Sequence, residues 1–413
     1  MVECWLPYGR TEVHVAVPIR NLLGIAEIEA KAAEDPEAEI LGSIQNPIGT
    51  PRLMEVSGKG KRAAVALDGD LPSTHMGFIA EQVVGELSKA GVEDISVIIS
   101  PGAVGTVRSD LWEQLRSLEK LRVRVIQHSW TQGEAVTVGK TSGGTRVSLN
   151  REFVEADIRV VIGEVKPDPV AGYSGGSAIL FPGLSLERDI WSCLRRSFDV
   201  ERLSTLKGNP VHEDSMEAAE LLGVDFSVNI VSDPRGRLMR VFSGDLGRSW
   251  REAMEVAEET YTVSVGKRAD LIVVSAGGYP YDRTLYRATM TLEHLLALGR
   301  RESKVILLAE CLEGPGDPHF RRYMAEYRDL REMKRELRKR YVLGGERAYR
   351  LREVLEDHQL TLVSILPDNI LRTLNIKARR TATDALRYAT RGSLEDEKVI
   401  VIPFGCVTVP ARA

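Results

Sequence analysis

Short runs of β-branched residues alternate with amphipathic stretches along almost the whole chain, and this alternation limits the folds that it can adopt. In the first half, buried strands are predicted at residues 62–67, 95–100, 123–127 and 158–163. Residues 78–90, between the first two, place apolar side chains at the three- to four-residue spacing of a helix that packs on a sheet. Strands and helices that alternate in this way favour a largely parallel sheet.

The second half of the chain begins with a predicted hairpin and then repeats the pattern. Two β-rich runs around PRGR, between Val224 and Asp245, predict the hairpin. Strands are predicted at residues 271–275, 305–309, 360–366 and 399–403, and helices at about 247–259, 283–299, 317–340 and 381–391. A boundary near residues 263–268 gives domains of residues 1–265 and 266–413. The predicted fold class is α/β, with two α/β domains, mainly parallel sheets and an interdomain cleft.

Composition excludes several classes of protein. The 413 residues are 43% hydrophobic and 28% charged with a net charge of −4, which is typical of a globular chain of two or three domains. No apolar run reaches the ~20 residues of a membrane span and the N-terminus lacks a secretory layout, so a cytoplasmic location without membrane contact is expected. No basic surplus indicates a nucleic-acid partner. The four cysteines have no CxxC spacing, which argues against a zinc site or a disulfide framework.

One arginine-rich run, RRYMAEYRDLREMKRELRKR at residues 321–340, is a local exception to the even spread of charge. Because it mixes both signs at helical spacing, it predicts a solvated, salt-bridged helix rather than a site for a polyanion.

The loops that follow the predicted strands are rich in glycine and polar residues. They read DGDLPSTH, PGAVGTVR, EVKPDPVAGYSGG, AGGYPYD and ECLEGPG. In open α/β sheets, ligands bind beyond the carboxyl ends of the strands, so these loops form the predicted site. The stretch AGYSGGSAILFPG, which begins in the third loop, has four glycines in thirteen residues, and glycine lets the backbone approach a ligand closely.

Taken in order, GEVKPDPVAGYSGG, KGNPVHEDSMEAAELLGVDFSVNIV, SAGGYPYDRTLYRA and AECLEGPG resemble the lactate racemase family, the LarA-like proteins that use a nickel-pincer nucleotide. The similarity extends from YGRTEVHVAVP near the N-terminus to VIVIPFGCVTVP near the C-terminus. The resemblance implies reversible removal of hydride from the α-carbon of a 2-hydroxy acid. It also implies a lysine that anchors the cofactor, a histidine that ligates nickel, and two histidines that move the hydroxyl proton.

At the two cofactor-holding positions, the chain departs from the family pattern. Ala178 stands where the resemblance places the anchoring lysine, so this position offers no amine for a covalent link. Leu194 stands where it places the nickel-binding histidine, and leucine cannot ligate a metal. The resemblance implies the nickel-pincer nucleotide as the family cofactor. In this chain Ala178 and Leu194 replace its lysine anchor and its histidine ligand.

The positions that handle substrate in the family are changed as well. The two acid/base histidines fall on Asp168 and Val107, and a first-loop arginine falls on Leu71. A glutamine and a lysine of the last loop fall on Arg287 and Met290. An aspartate can move protons only if its environment shifts its pKa from about 3.9, and a valine cannot move them at all.

The remaining polar residues of the loops define a candidate site for a small anionic metabolite. Asp168 and His75 are the predicted proton carriers, and loop amides with an arginine are expected to bind the anion. The predicted substrate-binding residues are Asp68, Asp70, Arg108, Tyr173, Ser174, Gly175, Gly176 and Arg287.

Structural alternatives stay open for several of these residues. Asp70 and Ser73 can instead cap a helix. His128 fits a packed loop, and His212 fits either the cleft or a helix cap. The loop aspartates together with His75 can form an oxygen-rich metal site. GYSGG resembles a serine-nucleophile turn only superficially, because no strand feeds it directly.

Two functions follow from this reasoning. The first is a lactate-racemase-like protein that acts on or binds a small 2-hydroxy acid without covalent nickel-pincer chemistry; as an enzyme it would be an isomerase. The second is a non-catalytic ligand-binding or partner subunit that keeps the scaffold, with a protein partner or a homo-oligomer as its context.

Overall fold

The computed structural model describes the whole chain except residues 57–60, 70–74, 102–106, 108, 122, 199–205, 265–267, 296–297, 393, 395–396 and 412–413. The chain divides into two compact units. The middle unit is Ala30–Thr260, and the composite unit combines Met1–Glu29 with Tyr261–Ala413. The expected boundary near residue 265 thus lies close to the observed one.

The first 29 residues differ from the sequence-based division, which places them in the N-terminal domain. They form β1 (Val2–Tyr8), β2 (Thr11–Val17) and β3 (Leu22–Ile25). Their buried side chains, such as Leu6 and Val17, pack against the strands of the composite unit. The alternating pattern of a strand shows that one face is buried, but it does not show which sheet buries it. The compact units and the predicted domains thus group these 29 residues differently, and the domain bounds 1–265 and 266–413 stay a prediction.

The middle unit follows the expected alternation of strands and helices. Its elements are α1 (Pro36–Gln45), α2 (Leu53–Val56), β4 (Arg62–Asp68), α3 (Met76–Lys89), β5 (Asp94–Ser100), α4 (Ser109–Glu119), β6 (Arg124–Gln127), β7 (Ala135–Lys140), β8 (Arg146–Asn150), α5 (Arg151–Val154), β9 (Ile158–Glu164), β10 (Pro167–Asp168), β11 (Gly172–Tyr173), a 3₁₀ turn (Gly176–Ile179), α6 (Glu187–Ser197), α7 (Pro210–Leu222), β12 (Phe226–Ser232), β13 (Leu238–Gly244) and α8 (Leu246–Tyr261).

Six strands of the middle unit form one sheet in the order β13-β12-β9-β4-β5-β6. All neighbours are parallel except β12 and β13, which form the antiparallel hairpin predicted around PRGR. The central strands are almost purely apolar, as expected for a sheet covered on both faces. From β4 the chain builds outward through β5 and β6, and from β9 it builds the other way, so the order reverses between β4 and β9.

The composite unit contains a second six-stranded sheet, with the order β18-β17-β16-β15-β19-β3, and all of its neighbours are parallel. Its elements beyond β3 are β14 (Thr262–Val263), β15 (Ala269–Ser275), α9 (Leu285–Ala288), α10 (Thr291–Leu295), β16 (Gly299–Leu308), α11 (Pro318–Glu326), α12 (Leu330–Lys339), α13 (Leu343–Asp357), β17 (Gln359–Val363), α14 (Asp368–Leu374), β18 (Lys377–Arg379), α15 (Ala382–Ala389), β19 (Val399–Ile402) and β20 (Val409–Pro410).

Two predicted helices of this unit are broken. The helix predicted at 283–299 is two short helices, α9 and α10. The helix predicted at 317–340 is α11 and α12, separated because Asp329 caps the second with a hydrogen bond from the Glu332 amide at 2.8 Å. The α/β class with mainly parallel sheets is confirmed, whereas the interdomain cleft stays a prediction.

Two findings bear on the excluded classes. No helix among the described residues is long and apolar enough to cross a membrane. All four cysteines are free, and Cys4, Cys193 and Cys311 are buried.

Candidate functional site

The loops after β4 and β9 lie at the reversal of strand order in the middle unit. Such a switch point leaves a crevice at the carboxyl ends of the strands, where open α/β sheets bind ligands. Asp68 ends β4 and Glu164 ends β9, and the two strands pair in parallel up to Leu67 and Ile162. The sheet therefore brings Asp68 and the AGYSGG loop to one edge.

Ser174 closes the loop after β9 on itself. Its amide donates to the Lys166 carbonyl at 3.0 Å, and its hydroxyl donates to the Glu164 carbonyl at 2.8 Å. The same hydroxyl accepts from the Lys166 amide at 3.2 Å. Lys166 also pairs with the buried carboxylate of Glu164 at 3.3 Å. The Ser174 hydroxyl thus has a structural role, and its predicted contact with substrate stays a prediction.

Asp168 shapes the short β10–β11 hairpin of this loop. One carboxylate oxygen accepts from the amides of Val170, at 2.8 Å, and Ala171, at 2.7 Å. This is the turn that an aspartate makes with the backbone two residues ahead. The predicted role of Asp168 as proton carrier is untested, and any such role has to coexist with these two bonds.

Gly175 and Gly176 allow Trp250 to pack on the loop. Both have left-handed backbones, with φ of +75° and +52°. A Cβ on Gly176 would lie 2.5 Å from the Trp250 ring, and the Trp250 indole donates to the Ser174 carbonyl at 2.9 Å. The Gly176 amide donates to Asn229 at 3.2 Å. The glycine signal in the sequence therefore reflects packing of the protein itself, while close approach of a ligand stays a prediction.

His212 lies in the first turn of α7 and stacks on the Trp250 ring, with centroids 5.3 Å apart. The cap of α7 is Asn209, whose side chain accepts from two amides of the first turn, so His212 is not the cap. Burial lowers the pKa of His212, which favours its neutral form. Tyr173 is buried beside the same loop, and burial raises the pKa of its hydroxyl, so that group stays protonated.

Sequence reasoning missed Trp250 and Asn229. Both belong to segments separated from the loop by more than fifty residues, and no local motif links them to it. The signal that exists is a polar amide, Asn229, between the apolar residues Val228 and Ile230 of the fully buried β12.

The loop after β4 is only partly described. The Gly69 amide donates to the Ser100 carbonyl at 2.8 Å, and a Cβ on Gly69 would lie 3.0 Å from Val107. Val107 also packs against the apolar core of the middle unit. His75 is half-buried directly before α3 and makes no capping bond with its side chain; burial lowers its pKa. Asp70, Ser73, Leu71 and Arg108 lie outside the described residues.

The two positions that the resemblance assigns to the cofactor are well described. Ala178 is half-buried in the 3₁₀ turn Gly176–Ile179. Leu194 is buried within α6, with 6% of its surface exposed. His128, the other strand-end histidine, is a packed residue, since its ring nitrogens contact the Ser185 carbonyl at 3.0 Å and Asn150 at 3.2 Å.

In the composite unit, the loops after β15 and β16 meet the β1–β2 turn at Asp282. Its carboxylate accepts from the amides of Gly9, at 2.7 Å, and Glu310, at 3.0 Å. Its other oxygen is buried and has no hydrogen-bond partner among the described residues. Burial raises the pKa of Asp282, and burial together with the Asp282 charge raises that of Glu310. Sequence reasoning chose this loop but not Asp282.

Arg287 also belongs to the composite unit. It lies in α9 with 7% of its surface exposed, and its guanidinium lies 5.4 Å from the centroid of the Tyr281 ring. Thr284 caps this short helix by accepting from the Arg287 amide at 3.2 Å. A buried cation after a glycine-rich loop is suited to a carboxylate, and that role stays a prediction.

The described residues contain no group of three or more histidine, cysteine, aspartate or glutamate side chains that could hold a metal ion. The oxygen-rich metal site that sequence reasoning left open thus has no support among the described residues. One of its proposed ligands, Asp70, lies outside the described residues.

Fold and loops together define a class of protein: two α/β units in which glycine-rich loops follow the carboxyl ends of parallel strands. Family models match the chain in two parts, a lactate racemase N-terminal domain at residues 8–199 and a lactate racemase C-terminal domain at residues 265–409. The chain belongs to the lactate racemase family, the LarA-like proteins.

Individual relatives agree with this assignment. A lactate racemase from Thermoanaerobacterium thermosaccharolyticum is 25% identical, with 98% of each chain covered. One from Lactiplantibacillus plantarum is 23% identical, with 98% of this chain and 99% of the relative covered. The structure of the Thermoanaerobacterium thermosaccharolyticum lactate racemase apoprotein matches the fold with a TM-score of 0.85 at 24% identity over the full length of both. A Thermotoga maritima protein matches with a TM-score of 0.69 at 16% identity, covering 92% of this chain and 99% of that one.

Proposed function

We propose that this lactate-racemase-like protein binds a small 2-hydroxy acid and works without the covalent nickel-pincer chemistry of its family. The observation that carries the proposal is Ala178 in the glycine-rich loop by which the chain resembles its family. Its methyl group offers no amine, although the loop is well ordered, with a 3₁₀ turn, two glycines of positive φ and a hydrogen bond from Trp250.

The residues at the cofactor positions do not fit the family's nickel group. Lactate racemases use a nickel cofactor. Leu194 supplies no lone pair for nickel and is buried within α6. Val107 cannot exchange a proton and packs against the core. No step of the proposed function therefore runs through that cofactor.

Binding of an anion depends on groups that are present. Arg287 supplies a fixed cation, and an arginine fork pairs with a carboxylate through two parallel hydrogen bonds. The loop after β9 supplies backbone amides and the half-buried carboxylate of Asp168, which can accept from a substrate hydroxyl. Taken separately, the Arg287 guanidinium suits a carboxylate and the Asp168 carboxylate suits a hydroxyl.

A non-catalytic binding or partner subunit is the second candidate. It is favoured by the structural use of the two polar residues best placed for chemistry, because Asp168 holds a turn and Ser174 holds the loop. In this case the protein binds the hydroxy acid, or a protein partner, and converts nothing.

Thermal-shift measurements with D-lactate, L-lactate and larger 2-hydroxy acids test the binding proposal. We expect stabilisation of several degrees at millimolar ligand, lost in Arg287→Met and retained in Arg283→Lys, which keeps the charge of a neighbouring arginine. Asp168→Asn keeps an oxygen for the two amides of the turn, so a loss of response in this variant reports the charge rather than the turn.

A parallel assay follows lactate by chiral chromatography in the absence of added cofactor. Binding with slow racemisation supports the enzyme, and binding without conversion supports the second candidate. Absence of any response to every hydroxy acid contradicts both forms of the binding proposal and leaves a partner-binding role.

A further inference from the structure

A cationic face on α12 lies in a part of the chain that the proposed function does not use. Five side chains, all lysine or arginine, line a surface recess of about 490 Å³: Arg331, Lys334, Arg335, Arg338 and Lys339. Their spacing places them on one side of the helix, within an arc of about 140° and a length of about 12 Å.

The acidic residues of α12 lie outside this face. Glu332 and Glu336 fall on its flank, where Glu336 pairs with Lys339 at 3.7 Å, and Met333 and Leu337 are buried on the opposite side. Positively and negatively charged residues alternate along the sequence of α12, which predicts a solvated helix of mixed charge. Helical geometry instead separates the signs and leaves the five cations together.

Some of this charge is compensated within the protein, because Glu336 pairs with Lys339 and the Lys334 amine lies 5.9 Å from the centroid of the Tyr349 ring. Like charges three or four residues apart destabilise a helix by about 0.2–0.5 kcal/mol per pair, and the face contains several such pairs, including Arg331–Arg335 and Lys334–Arg338. Only the last-turn cations are favoured by the helix dipole. A ligand with several closely spaced negative charges would offset the like-charge repulsions within the face.

We propose that the cationic face of α12 binds a short linear oligophosphate. Arginine and lysine are the residues that recognise phosphate, arginine through its fork and lysine as a point charge. The face carries no aromatic or amide side chain that could stack on a base or read its edge. Recognition is therefore limited to the phosphates themselves.

The length and surroundings of the face favour a short chain over a long one. About 12 Å of helix accommodates only a few consecutive phosphates. A duplex nucleic acid extends well beyond a face of about 12 Å, so most of its phosphates would have no partner there, whereas a short oligophosphate lies wholly within it.

Isothermal titration of the full-length protein with tripolyphosphate tests the proposal. We expect micromolar binding at low salt that weakens at least about tenfold between about 50 and 200 mM salt, because counterions are released. ATP should bind with similar affinity, since its base has no partner on the face, and a 20-base-pair duplex should bind more weakly.

The variant Arg331→Glu/Arg335→Glu should lower the tripolyphosphate affinity at least about tenfold. It should remain folded because the new glutamates lie at helical spacing from Lys334, Arg338 and Lys339, and circular dichroism checks this. The matched control is Arg116→Glu/Lys120→Glu, which makes the same change of charge at the same spacing on exposed residues of the middle unit.

The outcomes separate clearly. Loss of binding in the α12 variant but not in the control supports the site. Absence of tripolyphosphate binding by the unmodified protein, or equal losses in both variants, overturns it. Tighter binding of the duplex or of ATP than of tripolyphosphate overturns the assignment to a short phosphate chain.

Discussion

Gly176 illustrates how a residue-level signal can have a structural cause that the sequence does not name. Its position in a run of glycines indicates a backbone that needs close approach, and the structure contains such an approach. The group that approaches is Trp250, a residue of the protein. Sequence alone reveals that a Cβ is not tolerated, but it does not reveal whether a ligand or a distant side chain takes the space.

Gly176→Ala should therefore lower the free energy of unfolding by about 1–3 kcal/mol, because it combines a left-handed backbone with a Cβ placed 2.5 Å from the Trp250 ring. Gly144→Ala is the control, since Gly144 also has a positive φ, of +84°, but nothing lies within 4 Å of its Cβ. Urea unfolding compares the two. Equal losses would show that backbone strain accounts for the whole effect and that contact with Trp250 contributes nothing.

His128 provides a pH-dependent prediction. Burial lowers its pKa, against the smaller opposing effect of the Ser185 carbonyl, so the folded protein holds this ring neutral below the ordinary value of 6.5. The unfolded chain then binds more protons, and the stability contributed above pH 6.5 is lost as the pH falls below it.

The measurement is the midpoint of thermal unfolding between pH 7.5 and 5, for the protein and for His128→Gln. We expect a smaller decline in the variant, because one proton-linked group has been removed. The pKa values of His75 and His212 are also lowered, so part of the decline in the unfolding midpoint should remain in both the protein and the variant. An unchanged decline would contradict the neutral, buried state of His128.

At the scale of elements, the strands were the most predictable feature and the helix ends the least. Buried parallel strands such as β9 have a nearly continuous apolar run that is rich in β-branched residues and short for a helix, which favours a strand. Helix α13 was missed because its buried side includes the charged residues Glu346, Arg347 and Arg352. These residues interrupt the apolar pattern by which a packed helix is recognised in the sequence. The break between α11 and α12 depends on the side chain of Asp329, which the pattern of charges hides.

Packing of helix α8 should hold the AGYSGG loop in one conformation. Its Trp250 donates to the Ser174 carbonyl and fills the space over Gly176. Trp250→Ala should therefore increase hydrogen exchange at residues 166–180 at least about tenfold, while exchange in β4 and β5 stays unchanged. The control is Trp112→Ala, at an exposed tryptophan of α4. If the loop keeps its protection in Trp250→Ala, its own hydrogen bonds around Ser174 are sufficient to hold it.

At the scale of the whole molecule, the composite unit depends on both ends of the chain. Leu6, Tyr8, Val15 and Val17 belong to its core, and each fully buried side chain of this size contributes about 1.5–3 kcal/mol. The two α/β units were predictable from the repeated pattern of strands and helices. The return of the N-terminal segment to the second unit was not, because it depends on pairing of β3, near the start of the chain, with β19, near its end, as Leu22 does with Val399.

Fragments test this division. Residues 30–260 should unfold cooperatively on their own, whereas residues 261–413 alone should expose their core and fail to fold. Joining residues 1–29 to the end of 261–413 through a flexible linker should restore a cooperative transition in calorimetry. A fragment 261–413 that melts like the full protein would show that the hairpin is an accessory rather than part of the core.

The central claim is that a lactate racemase scaffold persists here without a covalently held nickel-pincer group. The most direct measurement is intact mass and nickel content of the protein produced together with the cofactor-synthesis enzymes, beside Ala178→Lys, which returns an amine to the loop. The account predicts an unmodified mass and nickel far below one equivalent for the natural sequence. A covalent adduct, or stoichiometric nickel, in the protein with Ala178 would contradict it.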